Sequence, residues 1–372
     1  MMGCCRAWVS LLVSLIAPSS PAIAHDASTS TQLRPCAQAA DFTALCGVHA
    51  PEDLALLPDG HTLIVSQIRG PGDAAFDPER SYLALLDTAN GTMRAARMRI
   101  DSRPGWGDVA CAASLDPIRP GGISLTSAGQ SSPELLVINI RTNGQNSVEF
   151  FEVVRTDGEW IFVWHGCAMG SAGLMFNSVA PLPQRGFAVT MMANAELLAT
   201  PAGIGMLLSG RNTGYVLEWT AAGGFKRLVD TDGGAPDGIL ATPDGRFLYY
   251  AAWSGRKIVK YDRKLGKASI EVSVDFMPDN FRWAKGGKSF LATGILNSDA
   301  VYACVNNAEE CRSSFKAVEF DLRSLSARTL YEGPPGLLGM ASVTLPVGTD
   351  LYIGAATGDR LVRLRQPSIA PR

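Results

Sequence analysis

Short apolar runs separated by turn residues fill most of this chain, and one phrase returns with them. Pro51-Glu52-Asp53 leads through Leu54-Ala55-Leu56-Leu57 to Pro58-Asp59-Gly60, then to Thr62-Leu63-Ile64-Val65. Pro236-Asp237-Gly238 leads through Ile239-Leu240-Ala241 to Pro243-Asp244-Gly245 and Phe247-Leu248-Tyr249-Tyr250. Pro278-Asp279-Asn280 leads through Phe281-Arg282-Trp283 to Gly286-Gly287 and Ser289-Phe290-Leu291-Ala292. Each unit predicts a strand, a tight turn and a returning strand, with Asp59-Gly60 and Asp244-Gly245 read as two-residue hairpin turns. Weaker copies begin at Gly121, Asn177 and Gly339. The six starts, near 52, 121, 177, 237, 279 and 340, are 69, 56, 60, 42 and 61 residues apart. Helical periodicity is scarce. The pattern predicts an all-β fold, a six-bladed β-propeller of small antiparallel sheets, with N- and C-terminal strands closing one blade.

Composition agrees with one large propeller domain. The 372 residues include 38 Gly and 22 Pro, and 47% are hydrophobic, enough for a core punctuated by many turns. Residues 45–366 are assigned to the propeller, 25–44 to an N-terminal extension and 367–372 to a tail. A net charge of −2 gives no electrostatic case for nucleic acid or an anionic membrane as partner. Gly203-x-Gly205 and Gly233-Gly234 lack the strand–loop–helix setting of a nucleotide site and read as turns.

Residues 1–24 read as a signal peptide: Arg6, an apolar run from Ala7 to Ala17, then Ala22-Ile23-Ala24 before His25. The run falls short of the roughly 20 residues that span a bilayer. Export to the periplasm or beyond follows. It makes disulfides the expected state of Cys36, Cys46, Cys111, Cys167, Cys304 and Cys311, with zinc the competing reading. Cys304 and Cys311 flank one polar loop. Six cysteines allow 15 pairings; Cys111 and Cys167 each stand ten residues ahead of a unit start, so equivalent blades would allow a bridge between them and leave Cys36 with Cys46.

In a propeller the innermost strands all begin near the central channel, so equivalent positions meet. Glu52, Asn177, Asp237, Asp279 and Asn280 would then converge as five oxygen-bearing side chains, three of them carboxylates. Such a set suits a hard cation, and calcium, which tolerates irregular geometry, is favoured over magnesium. The structural alternative is that each Asp or Asn only caps a turn.

At these residues the chain resembles the paraoxonase/arylesterase and gluconolactonase families of six-bladed propellers. The match rests on Glu52-Asp53-Leu54 with Leu57-Pro58-x-Gly60, on Asp237-Gly238-Ile239 with Pro243-Asp244-Gly245, and on Asp279-Asn280, over about residues 45 to 360. The resemblance implies a catalytic calcium held by Glu52, Asn177, Asp237, Asp279 and Asn280, although the paraoxonases carry Asn where this chain has Asp237. It implies hydrolysis of a lactone or ester, with Asp237 as base and Glu52 second. A structural calcium in paraoxonases would use Asp53 and the Ile123 carbonyl, but its other acidic ligand falls at Ser178. The paraoxonase histidine pair falls at Gly121 and Ile140. The chain's own histidines, His25, His49, His61 and His165, read as surface or strand residues. Apolar residues near the mouth, Trp253, Phe281, Trp283, Met191 and Met192, read either as pocket walls or as blade packing.

Two other functions stay open. One is an exported binding module with structural calcium and no chemistry, which the lost histidines favour. The other is metal-free carbon–nitrogen chemistry like that of the strictosidine-synthase relatives, against which the five oxygen ligands weigh.

Overall fold

The computed structural model describes residues 30–68, 81–109, 111, 118–126, 132–141, 144–306 and 311–365. The signal segment and His25 lie outside them. Within them the chain forms six antiparallel sheets in sequence order around a channel.

Each blade starts with an inner strand: β4 (Pro51–Leu56), β9 (Pro120–Thr126), β13 (Leu174–Leu182), β17 (Pro236–Ala241), β21 (Met277–Trp283) and β25 (Ala341–Val347). The second strands are β5 (Thr62–Gln67), β10 (Glu134–Ile140), β14 (Gly186–Asn194), β18 (Phe247–Ala252), β22 (Ser289–Ile295) and β26 (Asp350–Ala355). The sixth blade closes as expected. Its β27 (Arg360–Arg365) pairs with β3 (Phe42–Cys46), which pairs with β2 (Arg34–Gln38). The outermost strand of the first blade is β1 (Ser30–Gln32), beside β7 (Thr92–Ala95). The stretch 25–44, set apart in the sequence as an extension, thus supplies outer strands of two blades from Ser30 onward. In the second blade β8 (Arg97–Ile100) runs parallel to β12 (Glu159–Met169), which pairs with β11 (Asn146–Thr156).

The turns after the inner strands differ from the two-residue reading. Leu57 N donates to Thr62 O, Gly60 N to Leu57 O, and the matching bonds recur at Thr242, Phe247 and Gly245. These are four-residue loops. Pro58 or Pro243 presets the second position, and Gly60 and Gly245 take φ of +78° and +68°. Asp59 locks its loop by accepting from His61 N and Thr62 N.

The core lies between blades. Phe150, Phe187 and Trp219 fill the gap between the second and third blades, and Phe187 stacks on Trp219 at 5.2 Å. Tyr249, Phe281, Phe290 and Phe320 do the same between the fourth and fifth. Leu54, Val65, Val343 and Tyr352 seal the last blade to the first. A large closed ring needs this, because each sheet alone has two apolar faces.

All three expected disulfides are present: Cys36–Cys46, Cys111–Cys167 and Cys304–Cys311. The second joins the approach to β9 to β12 of the same blade, where the sequence placed its ends on neighbouring blades. The third bridges the end of α3 (Ala300–Asn306), a helix inserted between β22 and β23 (Phe315–Asp321). A second insertion, α1 (Ala195–Leu198) and α2 (Pro201–Leu208), follows β14. Gly203 and Gly205, read as turn residues, are helical in α2, where Thr200 Oγ1 caps the first turn by accepting from Gly203 N.

Candidate metal centre

A β-bulge interrupts the inner strand of every blade at the same place. The ladder between β4 and β5 pairs Pro51 with Gln67 and Asp53 with Ser66, which leaves Glu52 out. Corresponding breaks leave out Gly121 and Gly122, Asn177 and Ser178, Asp237 and Gly238, Asp279 and Asn280, and Ser342. A bulge bends its strand and re-aims side chains. Here it turns six short segments toward the channel, and all five expected ligand positions are among them. Proline precedes four of the bulges, at Pro51, Pro120, Pro236 and Pro278, where its missing N–H costs the ladder little.

The bulges crowd against each other. Gly238 lies so close to β21 that an added Cβ would sit 2.1 Å from Asp279 O, and at Gly122 it would sit 2.4 Å from Asn177 O. Ser342 Oγ donates to Glu52 O at 2.6 Å, and Ser66 Oγ to Gly121 O at 2.7 Å. Thr190 Oγ1 donates to Ser178 O and accepts from Ser178 N. Buried hydroxyls, two on second strands (Ser66, Thr190) and one on an inner strand (Ser342), thus satisfy backbone that the bulges strip of ladder partners. Ser66, Thr190 and Ser342 were not among the sequence candidates. Their signal was a Ser or Thr in an otherwise apolar strand.

Glu52, Asp237, Asp279 and Asn280 are buried. Asn280 Nδ2 donates to Glu52 Oε1 at 2.7 Å, and the Asp237 and Asp279 carboxyls hydrogen-bond to each other. Four oxygens remain buried without any partner: Glu52 Oε2, Asn177 Oδ1, Asp237 Oδ1 and Asn280 Oδ1. Each such acceptor costs about 1–3 kcal/mol if it stays unpaired. Four of them, from four blades, are a donor-poor site that only a cation or bound polar molecule would satisfy. Among the described residues no group of three or more His, Cys, Asp or Glu side chains forms a metal cluster by itself. Two of the four open oxygens belong to asparagines, which such a grouping omits.

Electrostatics reinforce this. Burial pushes the Glu52 carboxyl well above the ordinary range, and the charges of Asp53 and Asp279 push it further. Burial and then Glu52 raise Asp237; burial and then Asp237 raise Asp279. A carboxyl whose folded pKa is raised holds a proton that the unfolded chain has released. Its stabilisation is present below the unfolded pKa and is lost as pH rises toward the folded value. The protein without any bound ion should therefore melt at progressively lower temperature from about pH 5 upward, by up to roughly 1.4 kcal/mol per pH unit for each such group. The Glu52→Gln variant should flatten that slope. An unchanged melting temperature between pH 5 and 8 would contradict it.

The layer beneath is different. Asp53 is fully buried and bonded to the Arg282 guanidinium, which also donates to Ile123 O at 3.0 Å and Leu54 O at 2.6 Å. Asp53 further accepts from Ile123 N and Leu54 N. The oxygens that the resemblance assigned to a structural calcium already hold a cation, and Ser178 brings no charge. A second metal does not fit this place.

His61 and His165 lie away from the centre. His61 sits in a turn against Asp59 O, and His165 is buried in the second blade between Asp101 O and Glu152. His49 is exposed, three residues ahead of Glu52. Gly121 and Ile140, where the resemblance put a histidine pair, do meet: a Cβ on Gly121 would lie 3.5 Å from Ile140 Cδ1. That contact is apolar. Of the five mouth residues, Trp253 and Met192 join an apolar cluster with Met277, Met340 and Val301 of α3, while Met191, Phe281 and Trp283 belong to the cores between blades.

No protein-family model and no curated protein matches the sequence. Solved structures do match in shape. A luciferin-regenerating enzyme aligns over 87% of this chain and 93% of its own, with a TM-score of 0.51 and 12% identity. A gluconolactonase from Xanthomonas campestris aligns over 95% of this chain and 99% of its own, with a TM-score of 0.50 and 16% identity. At such identities the likeness is one of fold, and by that fold the chain is a six-bladed β-propeller of the kind these two enzymes share.

Proposed function

We propose that this chain is a calcium-dependent hydrolase of a lactone or ester. One observation carries the reading: Glu52 Oε2, Asn177 Oδ1, Asp237 Oδ1 and Asn280 Oδ1 lie buried and unpaired at bulges that face one channel. With Asp279, these residues would hold the ion. Bound there, calcium would supply Lewis-acid polarisation of the carbonyl and charge stabilisation of the oxyanion. The chain does the rest. Asp237 takes the proton from water; in the metal-free protein burial and the Glu52 charge raise its pKa, which opposes the lowering that a bound calcium would impose. Asp279, hydrogen-bonded to Asp237, shares that proton and orients the base. Asn280 fixes Glu52, the second candidate for the base, by their mutual hydrogen bond. Asn177, whose Nδ2 faces only Met192 Sδ at 4.0 Å, is left to orient a substrate oxygen.

The name of one fold neighbour, a gluconolactonase, supports a lactone. The rim supports an apolar one. Leu207 and Leu208 of α2 and Val301 of α3 pack with Met192, Trp253, Met277 and Met340 at the end of the channel where the inner strands begin. We expect kcat/KM on alkyl-substituted lactones or aryl esters to exceed that on polyhydroxylated sugar lactones by at least about tenfold, each well-buried methylene contributing roughly 0.8 kcal/mol. A panel assayed with calcium and after chelation tests both points. Turnover lost on chelation and restored by calcium supports the hydrolase; a preference for sugar lactones overturns the apolar substrate. No turnover on any member would favour the second reading, a calcium-stabilised binding module, for which the Gly121–Ile140 contact speaks. The three disulfides suit an oxidising compartment, and with residues 1–24 as a signal we place the protein outside the cytoplasm.

A further inference from the structure

Arg282 is a largely enclosed cation that the proposed chemistry does not use. It belongs to β21 of the fifth blade, but its guanidinium crosses the channel. Nη2 donates to Asp53 and to Ile123 O, Nε to Leu54 O, and Nη1 to Phe281 O of its own strand. Its side chain is 11% exposed and that of Asp53 is 0% exposed. Three blades therefore meet on one side chain, at sequence separations of 228, 159 and 229 residues. The acceptors it gathers, one carboxylate and three carbonyls, are the kind of oxygen set that holds a hard cation.

We propose that Arg282 is the resident cation of the lower channel layer, taking the place of a second divalent ion and tying the fifth blade to the first two. The inference rests on the reading of the upper layer as a calcium site. It states that the chain binds one such ion, because the lower oxygens are occupied by the Arg282 guanidinium. Arg282 also acts as a positioning residue. Asp53 adjoins Glu52, and Arg282 follows Asn280 by two positions, so the tie fixes both partners of the Asn280–Glu52 bond in the layer above. An arginine suits this place better than a lysine, since four acceptors in three directions need a planar fork of donors.

The test is calcium titration by calorimetry on the full chain, with melting temperature as a second readout. Wild type should bind one ion. Arg282→Met frees the Asp53, Leu54 and Ile123 oxygens, and should bind two, with millimolar calcium recovering at least half of its loss in melting temperature. Arg282→Lys keeps the charge but not the fork. It should bind one ion roughly ten- to a hundredfold more weakly than wild type, as changes behind metal ligands commonly do. Two ions in wild type would overturn the proposal. So would an Arg282→Met variant with one binding event and wild-type melting, or wild-type affinity and melting in Arg282→Lys. Should Arg282→Met fail to fold, the wild-type count and the lysine variant still decide. Zero ions in wild type would refute the calcium reading; the tie between blades would then stand or fall on the melting of Arg282→Lys.

Discussion

Asp237→Asn is expected to lower turnover of the preferred lactone or ester by about 10²–10⁴-fold, the range for loss of a positioned general base. The substitution preserves shape and removes a buried acid whose pKa burial and Glu52 hold high, so the fold should not suffer. Melting temperature in the absence of calcium should stay level or rise, because one of three crowded carboxyls is gone. The amide still offers an oxygen at the Oδ1 position that now lacks a partner, so calcium affinity should fall by no more than about tenfold, far less than the rate. Glu52→Gln separates the roles. Glu52 supplies an open oxygen and a hydrogen bond to Asn280, and its loss should weaken calcium binding first and turnover as a consequence. Saturating calcium should therefore restore much of the activity of Glu52→Gln and little of that of Asp237→Asn. Rescue of both alike would make Asp237 a ligand only; full activity in Asp237→Asn would remove it from the mechanism.

The sequence pattern reached the propeller because each blade repeats one local rule: apolar strand, polar turn, apolar strand. Six units and the closure of the last blade by terminal strands were legible from it; the cysteine pairs were one arrangement, among fifteen possible, that the spacing suggested. The strongest copies carry Pro-Asp or Pro-Glu at the bulge, and those were found first. Asn177 was found by phase alone, and the structure brings it to the channel with the rest. What stayed hidden depends on contacts between blades. Arg282 looked like one polar position in a strand, yet it crosses the channel to Asp53 and Ile123. Ser66 and Thr190 looked like ordinary strand hydroxyls, yet they satisfy backbone that the bulges expose. Spacing along one strand carries no information about which blade a side chain will meet.

Gly238 is the sharpest case, and its replacement carries the second large effect. In the sequence it reads only as half of an Asp-Gly opening. Its φ is not among the positive values that favour glycine, so conformational freedom is not its reason. It is there because β17 and β21 touch: a Cβ would lie 2.1 Å from Asp279 O and 2.8 Å from Asn280 Cα, both backbone atoms that cannot swing aside. Gly238→Ala must push the fourth and fifth blades apart at the two segments that carry Asp237, Asp279 and Asn280. Overpacking of this kind costs about 3 kcal/mol, which lowers the melting temperature of a domain this large by roughly 4 °C, at about 2.1 cal/mol/K of unfolding entropy per residue. Calcium affinity should fall with it, since the displaced atoms belong to the ligand segments. Gly121→Ala is the control. It sits at the equivalent bulge two blades earlier, but its Cβ would find Ile140 Cδ1 at 3.5 Å, an ordinary contact. Melting and calcium binding of Gly121→Ala should match wild type within error. If Gly238→Ala melts and binds like Gly121→Ala, the inner strands do not approach as described, and the convergence of ligands across them loses its basis.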